Sequence, residues 1–277
     1  MLRIDSHQHF WKFDPVRDSW IDESMAVIQR DFFPIDLEPI LKKNNIDGCV
    51  AVQADQSEAE TDFLLGLAGE SDFIKGVVGW VDLRSADVVS RLEYYSQFNK
   101  LKGFRHVLQG ETDRALMLNP SFVRGIKALK KHDLTYDILI YPDQLNFANS
   151  LVKQFPEQKF VIDHIAKPPI KTRGLKEWAK DMKVLAGLEN LYCKISGMVT
   201  EADWQKWKTE DFEPYLHVVF ETFGTKRLMF GSDWPVCNVA GGYDKVAGIA
   251  EHYSAQLSAD EQADFWGGNA VRFYGLS

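Results

Sequence analysis

Three short stretches of this chain carry residues able to do hydrolytic or metal chemistry. The first is Asp5-Ser6-His7-Gln8-His9, near the N-terminus. Side chains alternate along a strand, so a strand here puts His7 and His9 on one face, with Asp5 beside them. Two converging imidazoles can hold a divalent ion or grip a carbonyl oxygen. The second is His164, where the apolar run Phe160-Val161-Ile162 passes through Asp163 into a loop stopped by Pro168. The third is Asp233, at the end of Leu228-Met229-Phe230-Gly231-Ser232. A carboxylate ending a buried apolar strand must be solvated, paired or at work, because burying it alone is costly. Each stretch also has a plain structural explanation: surface histidines, a hydrogen-bonded core histidine, a helix N-cap. Their shared position at the ends of apolar runs points to one site.

The elements that must carry these residues repeat one pattern: a short β-branched apolar run, then a longer stretch of helical period. Eight apolar runs stand at 2–9, 47–54, 75–83, 101–108, 134–141, 159–166, 191–198 and 227–233. Helical patterns fall at 34–44, 59–70, 87–98, 121–131, 144–155, 175–185, 204–223, 244–253 and 258–274. Ser121 reads as the N-cap of the fourth. Strands too apolar to face water, alternating with helices, predict a parallel sheet covered by helices. Eight of them predict an α/β protein of the (β/α)8, TIM-like barrel type, with residues 1–277 as a single domain. A doubly wound open sheet is the rival, but no G-x-G-x-x-G or P-loop follows any strand. In such barrels the active site lies at the C-terminal strand ends, where all three stretches sit.

Composition narrows the function classes. The chain has 277 residues, 45% hydrophobic and 26% charged, with a net charge of −8. An acidic chain without a basic patch argues against a nucleic-acid partner. Cys49, Cys193 and Cys237 are scattered, which supports neither a disulfide framework nor a structural zinc site. No basic start with an apolar run marks a signal peptide, and no stretch of about 18 apolar residues could span a membrane. A cytoplasmic protein acting on a small molecule is the expectation. Oligomeric state has no signature.

Taken together, Asp5-Ser6-His7-Gln8-His9 and Gly231-Ser232-Asp233-Trp234-Pro235 resemble motifs of the amidohydrolase superfamily. With Gly103-Phe104-Arg105-His106-Val107 and Asp163-His164-Ile165-Ala166-Lys167-Pro168 between them, the chain resembles the lactonase branch over nearly its whole length. That branch opens sugar-acid lactones, such as fucono- and rhamnono-lactones, and 2-pyrone-4,6-dicarboxylate. The resemblance implies Asp233 as the base that takes a proton from water. It implies His7, His9 and His164 around the substrate carbonyl, directly or through a metal. Members with two metals carry a carboxylated lysine on the fourth strand and a histidine on the fifth. Here Arg105-His106 and Tyr141 stand at those strand ends, which argues against a second ion. Two possibilities stay open: one divalent ion, zinc by preference, held by His7, His9 and Asp233, or no required metal.

Substrate contacts are expected from Arg105 or His106, which alternate in face, and from Tyr141, Gln53 and Trp80 at neighbouring strand ends. Trp11 and Trp20, in the loop after the first strand, could form an aromatic wall. The expected reaction is hydrolysis of a sugar-acid lactone, L-fuconolactone or a close relative. Two alternatives remain at this stage: a mononuclear-metal decarboxylase of the same superfamily, and a barrel that only binds a sugar acid.

Overall fold

The computed structural model describes residues 2–277. Its eight strands are β1 Ile4–Gln8, β2 Gly48–Val52, β3 Ile74–Gly79, β4 Leu101–His106, β5 Thr135–Ile138, β6 Phe160–Ile162, β7 Leu191–Ile195 and β8 Leu228–Phe230. They form one parallel sheet in chain order. β1 and β8 meet at their C-terminal ends. The His9 N–H donates to the Trp234 carbonyl (2.7 Å), and the Asp233 N–H to that of His7 (2.8 Å). The hydroxyl of Ser6 donates to the carbonyl of Phe230 at 2.6 Å. The sheet is thereby a ring, as the alternation of elements predicts.

Helices α1 Pro34–Lys43, α2 Glu58–Glu70, α3 Val88–Tyr95, α4 Pro120–Leu129, α5 Leu145–Lys153, α6 Lys176–Ala186, α7 Glu213–Phe223 and α8 Tyr243–Ser254 surround it. Three helical expectations need correction. The cap of α4 is Asn119, whose side chain accepts from the Ser121 N–H, and not Ser121. Pro120 takes the first helical position, where its missing N–H costs nothing. The pattern at 204–223 is helical only from Glu213. Its first half runs over the barrel mouth, with the indoles of Trp204 and Trp207 donating to the carbonyls of Thr200 and Ala240. The segment 258–274 is broken by a π-helical turn at Asp264–Gly268. There a Cβ on Gly267 would stand 2.2 Å from the Leu2 carbonyl oxygen, so the helix needs glycine to lie against β1.

Two cores divide the strand residues by parity. The larger one contains Cys49, Ala51, Phe160, Ile162, Leu228 and Phe230, packed against the helices. The smaller one lies inside the barrel: Ile4, Val50, Val52, Val78, Val161 and Met229, plugged from below by Ala270, Phe273 and Tyr274. Both are expected of a strand ring buried on each face. In β1, however, the register slips between Asp5 and Gln8 relative to β2. This bulge inserts one residue, so Ile4 and His7 both face inward. Asp5 therefore does not share the face of His7 and His9, as simple alternation predicts. It faces the wall, where it accepts from the Ser232 N–H (2.9 Å) and the Tyr243 hydroxyl (3.0 Å).

Candidate active site

The C-terminal strand ends bring the four expected residues into one cluster. His7 and His9 Nε2 atoms lie 3.2 Å apart. His9 Nε2 is 3.4 Å from Asp233 Oδ1, while His7 and His164 Nε2 are each 3.9 Å from that oxygen. All four side chains are buried. Local backbone geometry delivers two of them. Asp233 has φ +58°, a left-handed conformation that aspartate tolerates better than most residues. His164 opens a run of left-handed residues, with Ile165, Ala166 and Lys167 at φ +47°, +57° and +49°. Such backbone costs about 1–2 kcal/mol per residue, so the surroundings must hold it. Ile165 and Ala166 are fully buried, and the Trp178 indole donates to the Ile165 carbonyl at 2.9 Å.

Hydrogen-bond partners constrain the protons. His9 Nδ1 faces the Val52 carbonyl at 2.8 Å, an acceptor only, so Nδ1 carries a proton and donates to it. His164 Nδ1 is held by Ser196 Oγ at 2.9 Å. His7 has two partners at each nitrogen. Lys194 Nζ (3.1 Å) and Asp163 Oδ1 (3.3 Å) meet Nδ1, while Arg105 (3.3 Å) and His9 Nε2 (3.2 Å) meet Nε2. Burial pulls the His7 and His164 pKa values well below 6.5. Burial pushes the Asp233 carboxyl up, but His164, His9 and Lys167 together hold it below 3.8. At neutral pH the cluster thus presents neutral imidazoles of His7 and His164 around an ionised carboxylate.

Beneath it lies a buried charged layer that the sequence reading did not single out. Lys194 Nζ is 2.6 Å from Asp137 Oδ2 and 3.0 Å from Asp163 Oδ1, with all three side chains fully buried. Arg105 bonds Asp163 Oδ2 at 3.1 Å, and the Tyr274 hydroxyl donates to Asp137 at 2.8 Å. Burial raises Asp137 to about 6. For Asp163, burial also raises, but Lys194 and His7 outweigh it and hold the carboxyl far below 3.8. The legible signal was a charge at an inward position of each strand: Asp137 in β5, Lys194 in β7, and Asp163 directly after β6.

Above the cluster opens a cavity of about 470 Å³, whose wall includes His9, Arg105, Tyr141, His164, Lys167, Glu201, Asp233, Trp20 and Trp204. Small-molecule sites commonly run about 300–1,000 Å³. Among the residues expected at substrate, Arg105 and Tyr141 line it. Gln53, Trp80 and His106 stand behind its wall. Gln53 is fully buried and brackets Arg105, giving its amide to the Arg105 carbonyl at 3.1 Å and accepting the guanidinium at 3.1 Å. His106 turns the other way, as alternation requires, with Nε2 2.6 Å from Glu111 and Nδ1 3.3 Å from the Trp80 indole. His7 is not on the wall either and reaches the cluster from below. Trp20 joins the wall, but Trp11 is buried, its indole bonded to the Arg30 carbonyl. Trp204 and Glu201 were not foreseen.

The donors fit a single divalent ion. Two nitrogens at the usual zinc distance of about 2.0–2.1 Å in tetrahedral array stand about 3.3 Å apart. The His7–His9 and His9–Asp233 separations of 3.2 and 3.4 Å match. Donor atoms of His7, His164 and Asp233 also lie within 4.8 Å of one another. His9 carries the backbone carbonyl partner that orients a metal-binding imidazole.

Comparison with known proteins agrees with this geometry. The family model described as amidohydrolase matches residues 4–276. L-fucono-1,5-lactonase of Burkholderia multivorans is 40% identical over 286 residues, covering 99% of this chain and 96% of that protein. The enzyme of the same name from Burkholderia ambifaria is 36% identical, covering 99% and 95%. An amidohydrolase structure from Burkholderia multivorans with bound zinc superposes with a TM-score of 0.96 at 40% identity, covering 100% of both chains. A decarboxylase from Polaromonas, at TM-score 0.71 and 12% identity, shares the fold. Among the described residues no helix is long and apolar enough to cross a membrane.

Proposed function

The chain belongs to the amidohydrolase family, and from that premise we propose that it is a lactonase, a carboxylic-ester hydrolase opening the ring of a sugar-acid lactone. The observation that carries this reading is the full-length likeness, at 40% identity, to an L-fucono-1,5-lactonase. L-fucono-1,5-lactone is accordingly the first substrate to test.

Asp233 is the base. It is ionised at neutral pH and takes a proton from the water that attacks the lactone carbonyl. His164 faces the carbonyl oxygen beside His9, and His7 supports them from below, so that negative charge developing there meets the His164 N–H or an ion. A divalent ion held by His7, His9 and Asp233 would supply Lewis-acid polarisation of that carbonyl when bound. The bond from carbonyl carbon to ring oxygen then breaks, and the ring oxygen leaves as a hydroxyl, taking the proton that Asp233 removed from the water. Arg105, clamped by Gln53 and Asp163, lines the cavity, and its Nε, which has no partner in the protein, is the donor left for a substrate oxygen. Tyr141 forms part of the wall beside the sugar ring.

A pH-indicator screen over aldonolactones, with and without a chelator, tests the proposal. L-fucono-1,5-lactone and its close stereoisomers are expected to release acid. Loss of rate with chelator and recovery with zinc would assign the ion a role. A screen blank on every lactone, with and without added zinc, would sink the reading.

A further inference from the structure

One charged pair on the cavity wall has been given no contact with substrate so far. Lys167 Nζ lies 3.5 Å from Glu201 Oε1, with the side chains only 15% and 21% exposed. Both line the cavity that holds His9, His164 and Asp233. The pair is loose: 3.5 Å exceeds the usual 2.7–3.2 Å of a good N–H···O bond. An ammonium has three donors and a carboxylate about four acceptor sites, so both keep unused capacity facing the cavity.

The backbone delivers Lys167 there at a cost. Residues 164–167 form one left-handed turn, and the Lys167 N–H donates to the His164 carbonyl at 2.8 Å. A turn of three residues puts positions i and i+3 on the same side. His164 and Lys167 consequently point to one cavity. The next loop mirrors them: Ser196 meets His164, and Glu201 meets Lys167. An ordinary rim salt bridge needs no such strained support. Lys167 also stands 5.6 Å from the Tyr141 ring centre, beside the aromatic wall.

Resting on the lactonase reading, we propose that Lys167 and Glu201 together bind two adjacent hydroxyls of the substrate ring. The ammonium donates to one hydroxyl oxygen, and the carboxylate accepts from the other hydroxyl. The pair is then a specificity determinant that favours hydroxylated lactones over bare ones. The Trp20 and Trp204 rings on the same wall offer apolar faces to the sugar.

The test compares Lys167→Met and Glu201→Gln with the parent on L-fucono-1,5-lactone and on unsubstituted δ-valerolactone. Hydrogen bonds to charged groups typically carry about 10- to 100-fold in affinity or rate. Each variant is expected to lose at least about 10-fold more kcat/KM on the hydroxylated lactone than on the bare one. Equal losses on the two substrates, or no loss, overturn the proposal. Glu201→Gln keeps the size of the side chain and guards against misfolding of the lysine variant. If the parent opens neither lactone, the lactonase reading fails by itself. Fluorescence titration of the wall tryptophans with L-fuconate then decides the pair: weaker binding by both variants supports it, and unchanged binding refutes it.

Discussion

Gly197 gives the sharpest test of whether the position of His164 sets the rate. It follows β7 at φ +61°, and a Cβ there would stand 2.5 Å from His164 Nδ1 and 2.6 Å from Cγ. Ordinary contact begins at 3.4 Å, so Gly197→Ala must push the imidazole back by about 1 Å. That displacement also breaks the 2.9 Å bond between His164 and Ser196. A misplacement of about 1 Å can cost roughly 100-fold in rate, so kcat/KM should fall about that far. The left-handed backbone adds about 1–2 kcal/mol for alanine, and crowding about 1–3 kcal/mol more. Gly275→Ala is the control: φ is +60°, and nothing lies within 4 Å of the added carbon. It takes the backbone cost without touching the site. Initial rates on the best lactone of the screen, with thermal melts of both variants, separate the two effects. If folded Gly197→Ala hydrolyses as fast as Gly275→Ala, the placement of His164 is not what limits the reaction.

Asp233→Asn should lower kcat by about 10²–10⁴-fold while binding of the aldonate product persists, and intact hydrolysis would remove Asp233 as the base. Because its neighbours hold Asp233 below 3.8, the base form predominates above that pH, and any acid limb of kcat/KM from this group should have its midpoint below pH 3.8. Glu60, 5% exposed and accepting from the Ala54 N–H at 3.1 Å, is pushed by burial from 4.5 to about 7. Below pH 4.5 both folded and unfolded chains hold that proton. Between 4.5 and about 7 only the folded chain does, so stability falls as pH rises, by about 3 kcal/mol in all. Glu60→Gln should remove this slope and gain stability over the parent at pH 8 relative to pH 5 in urea melts; an equal difference at both pH values would refute the account. Lys194→Met removes the cation that Asp137 and Asp163 share, leaving Asp163 with Arg105 but buried Asp137 with no cation, and should cost about 3–5 kcal/mol by denaturant titration. A loss under about 1 kcal/mol would mean that the layer is not held by this ion pair.

Much of the architecture was written locally. The apolar runs ending in His9, Ala166 and Asp233 each contain an observed strand, because a strand buried on both faces can hardly be anything but continuously apolar. Where packing overrode local pattern, the reading slipped. At 204–223 the apolar residues are spaced for a helix, yet Trp204 and Trp207 are spent covering the mouth. The single charges in β5 and β7, and Asp163 directly after β6, carry no joint meaning along the chain, because that meaning depends on facing one another across the barrel.

The opening quartet shows the same division. Residue type and position at strand ends were enough to name His7, His9, His164 and Asp233, since chemistry of this kind needs imidazoles and a carboxylate at the mouth of the barrel. Alternation along the chain sorted Arg105, which lines the cavity, from His106, which does not, but could not say which was which. Nor could it reveal the β1 bulge that turns Asp5 to the wall, or the left-handed turn that brings Lys167 beside His164. Those outcomes depend on register with neighbouring strands and on burial that supports strained backbone. Tertiary packing supplies both: β2 sets the register of β1, and Trp178 with the buried surroundings holds the turn.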